Sequence, residues 1–238
     1  MKLDILAFGV HPDDVEISAA GTIIKHLKMG MTAGVIDLTQ GELGTRGTAA
    51  TRMQESESAS QIMGSTVRHN LAMEDGFFEN NQNNKLKIIE MVRLYQPTII
   101  LCNALNDRHP DHGRSGRLVS DACFLSGLSK ISTEYNGHQQ QAWRPRAVYH
   151  YTQDRYHVPT FVVDISEHID AKMESIKAYK SQFHDPKSNE PATYISSPEF
   201  LDSIKARSAE YGRQIGVKYA EAFITERYPG INDLRDLI

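Results

Sequence analysis

The chain has 238 residues, 40% hydrophobic and 24% charged, which is enough apolar material for a full core and too much for a disordered chain. Its 26 Lys and Arg against 30 Asp and Glu leave a formal net charge of −4 with no basic block, which argues against a general nucleic-acid binder or a membrane-surface helix, since both need clustered cations. Two cysteines, Cys102 and Cys123, are too few for a disulfide scaffold, no run reaches the roughly 18 apolar residues of a membrane span, and Asp4 interrupts the N-terminal apolar run, so no signal peptide is read and the cytoplasm is the expected compartment.

Residues 3–10 form a short apolar run that stops at His11-Pro12, the pattern of a buried strand. Val15, Ala19, Ile23 and Leu27 then recur every four residues along one helix face, which Gly30 closes. Residues 32–39 are rich in β-branched side chains and read as the next strand; residues 40–48 carry Gly41, Gly44 and Gly47 and read as a loop. A polar helix over 49–63, a short strand over 67–72, a loop at the Asn/Gln run 80–84, and a helix marked by Leu86, Ile89 and Val92 and ended by Pro97 follow. Residues 98–103 are another buried strand, followed by a helix over 113–128 and strands over 147–151 and 161–165. Ser166 is read as the cap of a helix that buries Ile169, Met173, Ile176 and Tyr179, and Ser197-Pro198 as the start of the last helix. Segments 131–144 and 185–196 show no period and read as loops. With no repeat and no linker, residues 1–238 are expected to form a single α/β domain, its parallel sheet covered by helices on both faces.

Two polar clusters sit at strand ends, where α/β sheets bind their ligands: His11-Pro12-Asp13-Asp14 and Asp107-Arg108-His109-Pro110-Asp111-His112. Imidazole with carboxylate suits Zn²⁺ or another borderline divalent ion, and three protein ligands with an open position make a catalytic site. One His-Asp pair in a loop is more often a turn or a helix cap, and Asp13 or Asp14 alone reads as one; two clusters that share His-Pro-Asp favour a metal site.

These motifs, with Thr39-Gln40-Gly41-Glu42-Leu43-Gly44-Thr45-Arg46-Gly47 and Arg52 with Glu55, resemble the PIG-L/LmbE-like family of zinc-dependent N-acetylglucosaminide deacetylases. Tyr179-Lys180-Ser181-Gln182-Phe183 and Gly216-Val217-Lys218-Tyr219-Ala220-Glu221-Ala222-Phe223 are similar to its bacillithiol-biosynthesis branch. The resemblance implies a Rossmann-like three-layer α/β/α fold with a mostly parallel sheet. It also implies removal of the acetyl group of N-acetylglucosaminyl malate, giving glucosaminyl malate and acetate. The small-molecule substrate is the expected partner, with no nucleic acid and no membrane, and the chain is expected to be a homo-oligomer, hexameric in many relatives.

By the same resemblance His11, Asp14 and His112 match the metal ligands for Zn²⁺, with Fe²⁺ as the alternative ion. Asp13 matches the general base toward the zinc-bound water; His109 matches the group that stabilises the tetrahedral intermediate and protonates the leaving amine, with Asp111 orienting it. Arg52 matches a family arginine that would hold an anionic substrate group, and Tyr194 matches a tyrosine that assists at the oxyanion; Arg108, from its place beside His109, is another candidate for substrate contact. Val15 stands where many relatives carry an acid, so Glu16, one position later, receives no role. Two other readings stay open: hydrolysis of a different amide, such as the acetamide of another N-acetylglucosaminide (a chitooligosaccharide) or a thiol-cofactor conjugate, and a non-catalytic sugar- or nucleotide-binding module.

Overall fold

The computed structural model describes residues 1–236. Its centre is β1 (Ile5–Gly9), buried at every position. Side chains alternate across it: Leu6 and Phe8 pack toward one set of helices, Ile5 and Ala7 toward the other. The neighbouring β2 (Ala33–Thr39) is also buried throughout, as expected of a strand covered on both faces. Between them α1 (Asp14–Lys28) lays Val15, Ala19 and Ile23 on one face of the sheet.

The chain then alternates through α2 (Ala49–Met63), β3 (Val67–Met73), α3 (Gln82–Tyr95), β4 (Ile99–Asn103) and α4 (Pro110–Ser126). A two-stranded hairpin, β5 (Glu134–Tyr135) and β6 (His138–Gln139), precedes β7 (Ala147–Tyr151) and β8 (Phe161–Asp164). The last elements are α5 (Ile169–Lys177), a single 3-10 turn over Tyr194–Ser196, α6 (Pro198–Gln214) and β9 (Ala220–Thr225). The seven-stranded sheet has the order β3-β2-β1-β4-β7-β9-β8. All pairs from β3 to β7 are parallel, and β9 runs antiparallel to both β7 and β8. The strand order reverses between β1 and β4, so the crevice for a ligand opens beyond their carboxyl ends. No helix among the described residues is long and apolar enough to cross a membrane.

Local chemistry moved several expected boundaries. The Asn/Gln run is the start of α3 and not a loop, because Asn81 accepts from the Asn84 amide as an N-cap. Helix α4 begins three residues early, at Pro110, because the His109 side chain caps it, so the second motif lies on a helix turn. Segment 131–144 contains the β5–β6 hairpin, where Asn136 and Gly137 take positive φ. At α5 the capping position is His168, and Ser166 instead binds the Asp164 carboxylate.

Strand β9 went unread because Glu221 interrupts its apolar pattern. Glu221 is buried, and its carboxylate accepts from the Gly21 and Thr22 amides of α1 at 3.0 and 2.7 Å and from Lys172 Nζ at 2.5 Å. This places an ion pair where α1, α5 and β9 meet. Removing one partner of such a pair strands the other charge, so Lys172→Met is expected to lower stability by about 3–5 kcal/mol in urea unfolding. A loss below about 1 kcal/mol would mean that the helix amides alone hold Glu221.

Candidate active site

The first motif turns off β1 with Asp13 at φ 131°, a conformation rare outside glycine. Hydrogen bonds hold it there. Asp14 Oδ2 accepts from the Val10 and His11 amides at 3.1 and 3.0 Å, and from Asn103 Nδ2 at the end of β4. Gln153 Nε2 reaches the other oxygen of Asp14 at 2.7 Å. Helix α4 packs directly on β4: a Cβ at Gly116 would lie 2.6 Å from the Asn103 carbonyl oxygen, so only glycine permits this approach. That contact carries His109, Asp111 and His112 over the carboxyl ends of β1 and β4.

The two motifs converge. Asp14 lies 3.7 Å from His11 Nδ1 and 3.3 Å from His112 Nε2, one carboxylate oxygen toward each ring. His109 stands edge-on to His11 and stacks against His112. Ligating atoms of His11, His109 and His112 all lie within 4.8 Å of one another, as do those of His11, Asp75 and Asp111. Behind each histidine stands a second carboxylate. Asp107 Oδ2 is 2.6 Å from His112 Nδ1, and Asp75 Oδ1 is 3.0 Å from His11 Nε2. Each carboxylate occupies the outer ring nitrogen, so His112 presents Nε2 and His11 presents Nδ1 toward Asp14.

The charges match a cation. Asp13, Asp14, Asp75, Asp107 and Asp111 are all buried here, against the guanidinium groups of Arg52 and Arg114. Burial disfavours a charged His112, yet the Asp14 and Asp107 carboxylates override it and raise its pKa to about 10. Burial likewise opposes the Asp107 carboxylate, while its bonds to His112 and to the Arg155 amide bring it down to about 2. A proton on His112 thus stands in for positive charge that a divalent ion would supply, and two imidazoles with one carboxylate are a donor set for such an ion.

Asp13 is different. Burial raises its pKa to about 7, with Arg52 pulling the other way. Arg52 Nη2 donates to Asp13 Oδ2 and to the Pro12 carbonyl, both at 2.9 Å, and Nη1 donates to the Gly41 carbonyl. The Arg52 side chain passes so close under the Gly-rich loop that a Cβ at Gly41 would sit 1.9 Å from Nη1. The sequence assigned Arg52 to an anionic substrate group; the structure commits both its terminal nitrogens to the protein. Glu55 does not pair with it either, and instead accepts from the Ser181 amide and hydroxyl.

Asp111 also departs from the expectation that it orients the His109 ring. Its carboxylate accepts from the Gly76 amide at 2.8 Å and from Arg114 at 2.7 Å, and it lies 3.9 Å from His11 Nε2. Its position in the first turn of α4 sends the side chain toward the turn after β3, and only its backbone N–H reaches His109 Nδ1, at 3.3 Å. Since Nδ1 accepts that bond, the proton of a neutral His109 resides on Nε2. Burial, and then the neighbouring His11 and His112, lower the His109 pKa, which favours that neutral form.

At the mouth, Arg108 pairs with Asp154 at 3.1 Å and lies over the Tyr194 ring, which is 60% exposed and edge-on to Phe200. Leu43 and Gly44 from the Gly-rich loop, with Ile195 and Phe200, wall a cavity of about 220 Å³ above the histidines. Glu16, left without a role, is buried away from the mouth and binds Arg68 and the Tyr179 hydroxyl. Sequence reasoning missed Asp75, Asn103 and Gln153. Asp75-Gly76, a carboxylate at a strand end, repeated the signal of the two motifs; Asn103 and Gln153 carried none. Asp107 was visible inside the second cluster but received no task.

Comparisons with known proteins place this geometry. The PIG-L family model (GlcNAc-PI de-N-acetylase) matches residues 6–123, which contain both His-Pro-Asp motifs. The diacetylchitobiose deacetylase of Thermococcus kodakarensis is 28% identical over 232 residues, covering 91% of this chain and 80% of that one. A probable N-acetyl-alpha-D-glucosaminyl L-malate deacetylase 2 of Bacillus anthracis is 26% identical over 191 residues, 73% of this chain and 78% of that one. The crystal structure of a conserved protein of Thermus thermophilus superposes with a TM-score of 0.86 at 32% identity, covering 96% of this chain and 97% of that one.

The carboxylates behind the two rings generate a prediction of their own. Asp75→Asn and Asp107→Asn are each expected to weaken divalent-ion binding roughly 10–100-fold in competition with a chromophoric chelator. Wild-type affinity in both variants would show that neither ring needs its outer partner.

Proposed function

The chain belongs to the PIG-L family, and from that membership we propose that it is a metal-dependent deacetylase of N-acetylglucosaminides. One observation carries the reading: the two motifs bring His11, Asp14 and His112 together at the sheet's switch point, with the buried Asp13 beside them and bonded to Arg52. A closed structural site would need no such extra carboxylate. His11, Asp14 and His112 would hold the ion, with Zn²⁺ or Fe²⁺ both compatible with these donors. When bound, the ion supplies Lewis-acid polarisation of the amide carbonyl and brings a coordinated water to a pKa of about 7.

The rest is the work of the chain. Arg52 holds Asp13 by Oδ2, and among the described residues Oδ1 has no hydrogen-bond partner, so Oδ1 is the atom that takes a proton from the attacking water. A carboxyl near pH 7 can accept that proton and release it to the leaving amine. His109 offers Nε2–H to the oxygen that gains charge as the carbonyl carbon becomes tetrahedral. Either Asp13 or His109, which the family resemblance makes the proton donor, can pass a proton to the leaving amine. Asp111 contributes by fixing the turn at Gly76 and the start of α4. The cavity of about 220 Å³ lies below the roughly 300–1,000 Å³ of drug-sized sites, in keeping with one sugar unit carrying its acetamide.

The finer reading is N-acetylglucosaminyl malate as substrate, in bacillithiol synthesis. It is supported by the Bacillus anthracis relative and by cationic Arg108 at the mouth beside Tyr194, where the group attached to the sugar would emerge. The diacetylchitobiose deacetylase of Thermococcus kodakarensis favours a second N-acetylglucosaminide, a chitooligosaccharide.

The zinc-loaded protein is expected to release acetate from an N-acetylglucosaminide, and a chelator should abolish the release. Stoichiometric zinc binding without acetate release from malate-bearing, methyl or chitobiose substrates would remove the reading. Asp13→Ala should lose about 10²–10⁴-fold in kcat while keeping its metal; normal turnover would take the base role from Asp13.

A further inference from the structure

Arg52, Asp75 and Gln153 line the cavity but are bonded within the protein: Arg52 to Asp13, Pro12 and Gly41, Asp75 to His11 and the Leu43 amide, Gln153 to Asp14 and Asn103. Gln182 is different. It lines the same cavity, is 6% exposed, and is bonded through one end of its amide only. Nε2 donates to the Arg46 carbonyl at 2.8 Å and to Ser181 Oγ at 2.9 Å, which uses both of its protons. A carbonyl only accepts, so Nε2 must face Arg46 and the amide has one orientation, with Oε1 pointing away from the Gly-rich loop. Among the described residues no donor reaches Oε1, yet Oε1 is not sealed in the interior. In a buried side chain that lines the cavity, such an oxygen is an acceptor presented to the cavity.

The surroundings hold this oxygen in place. Gln182 lies in the turn after α5, where its backbone N–H donates to the Tyr179 carbonyl at 3.0 Å. Its contact with the Gly-rich loop is reciprocal, since Arg46 Nε donates to the Ser181 carbonyl at 2.7 Å. Glu55 on α2 accepts from the Ser181 amide and hydroxyl, and the next residue, Phe183, is buried and stacked on Phe200. An acceptor fixed from so many sides loses little conformational freedom when a ligand arrives.

The strand order sets which side of the cavity it occupies. The two histidine motifs follow β1 and β4. The Gly-rich loop that bonds Gln182 follows β2 on one side of them, and Gln153-Asp154 follow β7 on the other. With the acetamide over His11, Asp14 and His112, and the attached group leaving past Arg108 and Tyr194, another edge of the sugar turns toward Gln182. The donors on that edge are hydroxyl groups.

We propose that Gln182 is a specificity residue of this site, its Oε1 accepting a hydrogen bond from a hydroxyl of the N-acetylglucosamine unit. The proposal rests on the deacetylase reading above and deepens it from the acetamide to the sugar that carries it. With both N–H groups committed, the amide offers the substrate an acceptor alone, so it favours a hydroxyl over any substituent that has no donor.

A double-mutant cycle between Gln182 and the sugar tests this. Methyl N-acetylglucosaminide and its 3-, 4- and 6-deoxy forms are given to zinc-loaded wild type and Gln182→Met. In wild type, deleting the hydroxyl that Oε1 binds is expected to lower kcat/KM by roughly three- to tenfold. In Gln182→Met, which has no acceptor oxygen, the same deletion should cost nothing further, so the two losses do not add. If Gln182→Met does not fold, Gln182→Lys, which keeps a donor for the Arg46 carbonyl, provides the same comparison. Additive losses at all three hydroxyls, as a glutamine that only braces the loop would give, would overturn the proposal. If wild type deacetylates no N-acetylglucosaminide, the deacetylase reading fails on its own. Equilibrium titration of the zinc-loaded protein with methyl N-acetylglucosaminide then decides the contact: binding weakened by Gln182→Met and by one deoxygenation, without addition of the two, upholds it, and additive effects or no saturable binding remove it.

Discussion

Two histidine rings face a shared carboxylate because each is held from behind by a carboxylate of its own. Asp107 grips His112 and Asp75 grips His11, while Asp14 is pinned by two backbone amides, Asn103 and Gln153. Concentrating five buried carboxylates in one crevice is electrostatically costly unless positive charge is supplied. The protein supplies some of it through Arg52 and Arg114 and leaves the rest to whatever occupies the centre. The sheet reversal, the glycine at 116 and the capped start of α4 all serve to hold these carboxylates together.

The same constraint separates two acids one residue apart. Asp14 faces imidazoles and amide donors, which outweigh its burial and keep its pKa well below the usual range. Burial raises Asp13 to about 7 against the pull of the Arg52 guanidinium. Adjacent residues acquire opposite tendencies because the turn sends their side chains into different surroundings, and Asp13 takes a positive φ in that turn. Acid and base work on an amide needs such a division between a group that stays ionised and one that can change.

Much of this was legible in sequence. Helix α2 falls at the expected 49–63 although its apolar pattern is weak, because Thr48 and Gly64 mark its ends by capping and by positive φ. Strands β1, β2 and β4 were readable because burial on both faces makes them continuous apolar runs. The antiparallel β9 was not, since a strand that carries a buried Glu221 for an ion pair with another element violates the pattern a reader looks for. At the site, the sequence clusters His11, Asp13, Asp14 and His109, His112 were visible because neighbours in sequence here lie together in space. Residues whose partners lie far along the chain were missed or misassigned. Arg52 reads as a free cation until its bonds to Pro12 and Gly41 are seen, and Asp75 reads as an ordinary turn residue until His11 is found 3.0 Å away.

The passage of Arg52 beneath Gly41 has an evolutionary side. A side chain at 41 has nowhere to go while arginine fills the space, and a smaller residue at 52 would free the loop but leave Asp13 unpaired in a low-dielectric site. Neither position can drift first without damage. The two positions are coupled, so a change at either calls for a change at the other or for another cation that takes over Asp13.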